Sequence, residues 1–191
     1  MKKLLEKIKL ISKSYFSFSD LRKITPMEEN SLKVSLNRLV KNGALLRLSR
    51  GIYATDLSNV EWNKLALELY SPSYLSFEWA LAYHKILSQQ PLNLTLATVK
   101  RSKTISVSDY IFIYHHIRPE LFWGYEKRDN VMIADPEKAF LDLAYLSLNG
   151  YAKLDTSEMN LKLLDKKRIE LYLKKFNSKR LTALVENILS S

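Results

Sequence analysis

Thr25-Pro26-Met27-Glu28-Glu29-Asn30-Ser31-Leu32-Lys33-Val34-Ser35-Leu36-Asn37-Arg38-Leu39-Val40-Lys41-Asn42-Gly43 runs directly into Ala44-Leu45-Leu46-Arg47-Leu48-Ser49-Arg50-Gly51-Ile52-Tyr53-Ala54. Leu32, Leu36, Leu39 and Val40 recur at helical spacing and mark one apolar stripe. Thr25 offers a capping hydroxyl, Pro26 fits a first helical position, and Glu28 faces the positive end of the helix dipole. A helix over residues 26–41 is therefore expected. Asn42-Gly43 ends it, because glycine closes the last turn in the left-handed conformation without a Cβ clash. Residues 44–48 and 52–54 then read as two short strands around a tight turn at Ser49-Arg50-Gly51.

Upstream, residues 2–12 form a basic amphipathic pattern and residues 20–24 a short second helix. Three helices closed by a hairpin is the plan of a winged helix-turn-helix. In that plan the third helix enters the major groove and the hairpin reaches the neighbouring backbone. Opposite the leucine stripe the third helix carries Asn30, Val34, Asn37 and Lys41, flanked by Ser31, Lys33 and Arg38. Amides, hydroxyls and cations are the groups that bond base edges and phosphates. The expected DNA-binding residues are Asn30, Ser31, Lys33, Asn37, Arg38 and Lys41 on the helix, with Arg47 and Arg50 on the wing.

Charge supports that placement. Residues 1–54 hold 12 Lys/Arg against 4 Asp/Glu, residues 55–150 hold 9 against 11, and residues 151–191 hold 9 against 5. A net of +8 out of +10 thus falls on the segment with the DNA-reading pattern, where it attracts a polyanion. No apolar run reaches the roughly 20 residues of a membrane span, and no cleavable signal pattern is present, so a cytoplasmic protein without a membrane partner is expected. The absence of cysteine excludes thiolate catalysis, disulfides and Cys-type zinc sites.

After residue 55 the pattern changes to an α+β domain, a small sheet flanked by helices with a helical C-terminus. Domains are expected at 1–55 and 56–191. Helices are expected over 60–70, 76–87 and 137–148, and a final pair hinged near Asn177-Ser178. Leu94, Leu96 and Thr98 alternate with Thr95, Ala97 and Val99, which predicts a strand; further strands are expected at 105–107, 110–117 and 131–133. Trp62, Trp79 and Trp123 are expected to pack rather than stack on bases.

Catalytic chemistry is poorly represented. His115 and His116 are adjacent in a predicted strand and point to opposite faces, and His84 has no ligand partner at helical spacing. Asp135 and Glu137 flank a proline at a helix start, where carboxylates cap. No catalytic residue, metal or cofactor is expected. A magnesium-dependent nuclease built on Asp135, Glu137 or Asp142 is the enzyme alternative. Two cationic clusters are candidate phosphate or partner surfaces: Lys100, Arg101 and Lys103, and Lys166, Lys167 and Arg168.

Four blocks in order carry a family resemblance. Residues 36–43 with Arg47-Leu48-Ser49-Arg50-Gly51-Ile52-Tyr53 resemble the helix-to-wing segment of the AbiE-type antitoxins, which belong to type IV toxin–antitoxin and abortive-infection systems. Tyr74-Leu75-Ser76-Phe77-Glu78-Trp79-Ala80-Leu81, residues 94–99 with Arg101, and Ile133-Ala134-Asp135-Pro136-Glu137-Lys138-Ala139-Phe140-Leu141-Asp142 resemble later blocks of the same family. The resemblance covers about residues 20–148; the first helix and the tail match no motif. It implies an antiviral-defence autorepressor that binds inverted repeats in its own promoter. It also implies an antitoxin that counteracts a nucleotidyltransferase-like toxin without requiring a stable complex. The alternative is a stand-alone winged-helix regulator whose second domain senses a ligand or dimerises.

Overall fold

Leu4 and Ile8, one turn apart on α1 (Lys2–Leu10), are the first side chains committed to a core. They join Leu21 of α2 (Phe18–Lys23) and Leu32, Leu36 and Leu39 of α3 (Glu29–Lys41). Phe16, Leu45 and Tyr53 complete the cluster from in and around a three-stranded sheet. That sheet has the order β1-β3-β2, with β1 (Phe16–Ser17), β2 (Leu46–Ser49) and β3 (Ile52–Ala54) all antiparallel. The computed structural model describes residues 2–190.

Two local expectations shift. Helix α3 begins at Glu29 rather than 26, and its N-cap, Glu28, makes no side-chain cap. Thr25 instead accepts a hydrogen bond from the Met27 amide at 3.3 Å, inside a turn. A helix starting at Pro26 would leave too little chain to reverse direction after α2. The capping box lies one helix earlier. Ser17 Oγ accepts from the Asp20 amide (3.1 Å), and the Ser17 amide donates to Asp20 Oδ2 (2.9 Å). Burial opposes ionisation of Asp20, yet the bonds from Lys13 and Ser17 together hold its carboxyl below the ordinary value.

The chain divides into two units between Leu65 and Ala66, inside α4 (Trp62–Leu69). Residues 56–65 therefore group with the first unit, whereas the sequence pattern groups them with the second. Ser14 ties this stretch to the first unit: its Oγ donates to the Glu61 carboxylate and accepts from the Glu61 amide, each at 3.3 Å.

The second unit holds a mixed six-stranded sheet of order β6-β7-β5-β4-β9-β8. Its strands are β4 (Ser73–Leu75), β5 (Leu94–Thr98), β6 (Lys103–Val107), β7 (Tyr110–His116), β8 (Tyr125–Arg128) and β9 (Val131–Ala134). The pairs β4·β9 and β5·β7 are parallel, the others antiparallel. The alternation in β5 suggests a half-exposed strand, yet all five of its residues are buried. It lies between β4 and β7 with both faces covered, and there Thr95 and Thr98 bond to main-chain carbonyls, of Ser76 and Pro72. Helices α5 (Phe77–Tyr83), α6 (Pro136–Leu148), α7 (Lys166–Phe176) and α8 (Lys179–Ser190) complete the unit. Asn177 ends α7 in the left-handed conformation, which makes the hinge expected there. The whole is an α+β protein. No helix among the described residues is long and apolar enough to cross a membrane.

Candidate nucleic-acid interface

The leucine stripe buries one side of α3, so Asn30, Ser31, Lys33, Val34, Asn37, Arg38 and Lys41 are all exposed on the other. The hairpin brings two more cations to it. Arg47 and Arg50 are three residues apart, a spacing that puts side chains on opposite faces of a regular strand. The register of β2 against β3 slips between Arg47 and Ser49, and the turn at Arg50-Gly51 follows. The slip lets both arginines line one groove. Gly51 makes the turn at φ +75°, a conformation that side chains with a Cβ rarely adopt.

That groove has a volume of about 490 Å³ and is lined by Phe18, Lys33, Asn37, Arg47, Arg50, Gly51 and Tyr53. No acid is among them. Of the eight residues singled out from sequence, it gathers Lys33, Asn37, Arg47 and Arg50. Asn30, Ser31, Arg38 and Lys41 lie on the same helix outside its lining. Among the described residues, the side chains of Asn30, Asn37, Arg38, Lys41, Arg47 and Arg50 have no hydrogen-bond or ion-pair partner. Lys33 is different. It bonds Glu29 at 2.6 Å and sits 5.7 Å above the Phe18 ring. Glu29 also faces Arg22 at 3.5 Å, and the hydrogen bond from Lys33 holds its carboxyl below the ordinary value.

Helix α2 adds a surface that sequence reasoning passes over. Phe18, Ser19, Arg22 and Lys23 line a neighbouring depression of about 370 Å³. The available signal is Ser17-Phe18-Ser19-Asp20, a serine followed three residues later by an acid, which marks α2 as starting at Phe18. Tyr53, buried and in the core, also lines the groove.

The second unit treats its candidates in two ways. Lys100 and Lys103 both place Nζ 5.2 Å from the Tyr70 ring, whose hydroxyl donates to the Arg101 carbonyl at 3.0 Å. One aromatic ring thus organises the loop cations; Lys100, Arg101 and Lys103 all stay exposed. At the start of α7, Lys166 and Lys167 are exposed, but Arg168 is tied inward. It bonds Asp135 Oδ2 and Tyr172 Oη, each at 2.9 Å, and faces Glu137 Oε2 at 3.5 Å.

The three carboxylates of the nuclease alternative are each held by the fold. Asp135 caps α6 through the Lys138 amide (3.0 Å) and receives Arg168 and the Tyr172 hydroxyl (2.8 Å). Glu137, expected as a dipole or cap group, is instead buried and accepts from the Asp165 amide at 2.9 Å. Asp142 is buried beneath Lys138, Tyr74 (2.9 Å) and Ser76 (2.8 Å), all donating to it. Burial pushes the Asp142 carboxyl up and the Lys138 ammonium down, against their mutual attraction. No cluster of three or more His, Asp or Glu side chains among the described residues is arranged to hold a metal ion. His84 bonds the Ala134 carbonyl at 2.8 Å, His116 approaches the Lys100 carbonyl at 3.0 Å, and His115 packs edge-on to Phe77. Of the tryptophans, Trp79 is buried and Trp123 packs against Tyr172 and Phe176.

No family model matches the chain, and no curated protein matches it in sequence. Among solved structures it is similar to the Rv2827c protein from Mycobacterium tuberculosis, with a TM-score of 0.61 at 12% identity, over 91% of this chain and 70% of that one. The likeness is one of fold.

Proposed function

We propose that the first unit is a winged helix-turn-helix that binds double-stranded DNA, with α3 in the major groove and the β2–β3 hairpin as the wing on the adjoining backbone. One observation carries this reading: Lys33 and Asn37 of the helix meet Arg47 and Arg50 of the hairpin around a groove with no acid in its lining. Phosphate bonds would position the unit and the α3 side chains would specify the sequence. The whole chain then acts in the cytoplasm as an autorepressor on inverted repeats in its own promoter. It also acts as the antitoxin that opposes a nucleotidyltransferase-like toxin without a stable complex. The antitoxin half rests on the order of the four sequence blocks, and the exposed cations Lys100, Arg101, Lys103, Lys166 and Lys167 are its best candidate surface.

Two experiments test the two halves. Fluorescence anisotropy on a promoter duplex should show the Asn37→Ala/Arg38→Ala variant weakened by about 1–3 kcal/mol for each base edge that it no longer reaches. Unchanged binding by that variant, still folded, removes the recognition surface. Growth with the neighbouring gene induced, alone or together with this protein, tests the antitoxin half. No rescue by the full chain removes the antitoxin claim, favours a stand-alone regulator, and leaves the DNA claim intact.

A further inference from the structure

Val34 sits sixth in α3 and is 48% exposed, an apolar side chain on an otherwise polar face. Its neighbours one turn away in either direction are Asn30, Ser31, Asn37 and Arg38, all able to donate hydrogen bonds. The core of the unit is made by the opposite stripe, so Val34 adds nothing to it. Valine is also a poorer helix former than alanine at an exposed position. Local stability therefore does not account for it.

The chemistry of the major groove does. An aliphatic side chain there finds its complement in the 5-methyl group of thymine, while the flanking amides suit adenine. Valine can neither donate to nor accept from a guanine or cytosine edge, and would leave those groups desolvated and unpaired. In a helix its β-branch has one preferred rotamer, so both methyls are aimed before binding. We propose that Val34 is a specificity-determining residue that reads a thymine methyl, which deepens, and rests on, the assignment of α3 as the DNA-reading helix.

The probe is the duplex that the full-length protein retains from a random-sequence pool. Each thymine is replaced in turn by deoxyuridine, which removes the methyl and keeps every hydrogen-bonding group. At one position per half-site the wild type should lose about fourfold in affinity, the worth of one buried methyl-sized group. Val34→Ala should bind the unsubstituted duplex more weakly and be insensitive to deoxyuridine at that same position. Its fold is protected, since the site is exposed and alanine favours helix. If no deoxyuridine duplex binds the wild type more weakly, or Val34→Ala keeps the full deoxyuridine penalty, the proposal is overturned while DNA recognition stands. If the pool yields no preferred sequence, both the proposal and the reading beneath it fail.

Discussion

Removing Lys138 alone should cost far more stability than removing it together with Asp142. The two side chains are an i,i+4 ion pair on α6 with 0% and 1% of their side-chain surface exposed. Lys138→Met preserves length but strands a carboxylate that only Tyr74 and Ser76 then partner. Asp142→Leu leaves a buried ammonium without its counter-ion, bonded only to Tyr74 Oη at 2.9 Å among the Tyr74, Trp123 and Phe176 rings, at 5.5, 5.1 and 5.1 Å. Breaking one side of a buried pair costs about 3–5 kcal/mol, whereas replacing both by apolar groups is about neutral or stabilising. For a unit spanning residues 66–191 that is a fall in Tm of about 10–20 °C for each single variant, with most of it recovered in the double. Lys138→Met should also become pH-dependent. Burial already raises Asp142, and Lys138 is the largest influence pulling it back. Without it the folded carboxyl titrates well above the unfolded one, so the folded state binds the extra proton. The contribution of this group to stability is then fully present below the unfolded value of about 4, and declines as pH rises toward the folded value. Thermal melts followed by tryptophan fluorescence between pH 4 and 8 measure both effects. Single variants within about 1 kcal/mol of wild type, or a double variant no better than the worse single, would refute the reasoning.

Other outcomes follow from particular side chains. Arg50→Glu should weaken promoter binding and flatten the salt dependence by about one unit of slope without lowering Tm, as a salt titration would show; an unchanged slope would take Arg50 off the phosphate backbone. Glu29→Gln should do the reverse, tightening binding at low salt, because it releases Lys33 and Arg22 from a shared carboxylate beside the groove. Gly124→Ala should destabilise by about 1–3 kcal/mol, since φ is +74° and the new Cβ would lie 2.9 Å from Lys138 Cγ, which Asp142 holds in place. Gly43→Ala, with nothing within 4 Å, should cost visibly less in the same melts.

The parts legible in the sequence are those that a single element decides. Leu32, Leu36 and Leu39 identify the buried side of α3 by spacing alone, and Asn177 and Ser178 mark the hinge of the tail. The parts that are not legible depend on partners distant in sequence. Strand β1 is two residues long and exists only because Phe16 and Ser17 pair with Tyr53 and Ile52, while the Phe18 amide bonds the Gly51 carbonyl at 2.7 Å. Strand β4 is three residues, and no periodicity can mark it. The start of α3 differs from the sequence expectation because Thr25-Pro26 satisfies the local rule for a cap while the chain needs those residues to turn. The groove is half legible. Lys33, Asn37, Arg47 and Arg50 can be named from the helix and the turn, but Phe18 requires the register of β1.

The two charged regions differ in what remains unpaired. The most motif-like charged segment of the chain, residues 135–142, is the least available. Asp135, Glu137, Lys138 and Asp142 all have internal partners, and Arg168 arrives from α7 to bind two of them. Such a segment fixes how α6 meets α7 and β4. On α3 and the hairpin the reverse holds. Asn30, Asn37, Arg38, Arg47 and Arg50 are, among the described residues, without partners, in the part of the chain that carries most of its net positive charge. Solvent-facing cations held close together repel one another, and in isolation they lower stability. A polyanion would offset that repulsion, and a base edge would use the amide groups that solvent otherwise occupies. The placement of unpaired groups, rather than the total charge, is therefore what directs the functional reading to the first unit.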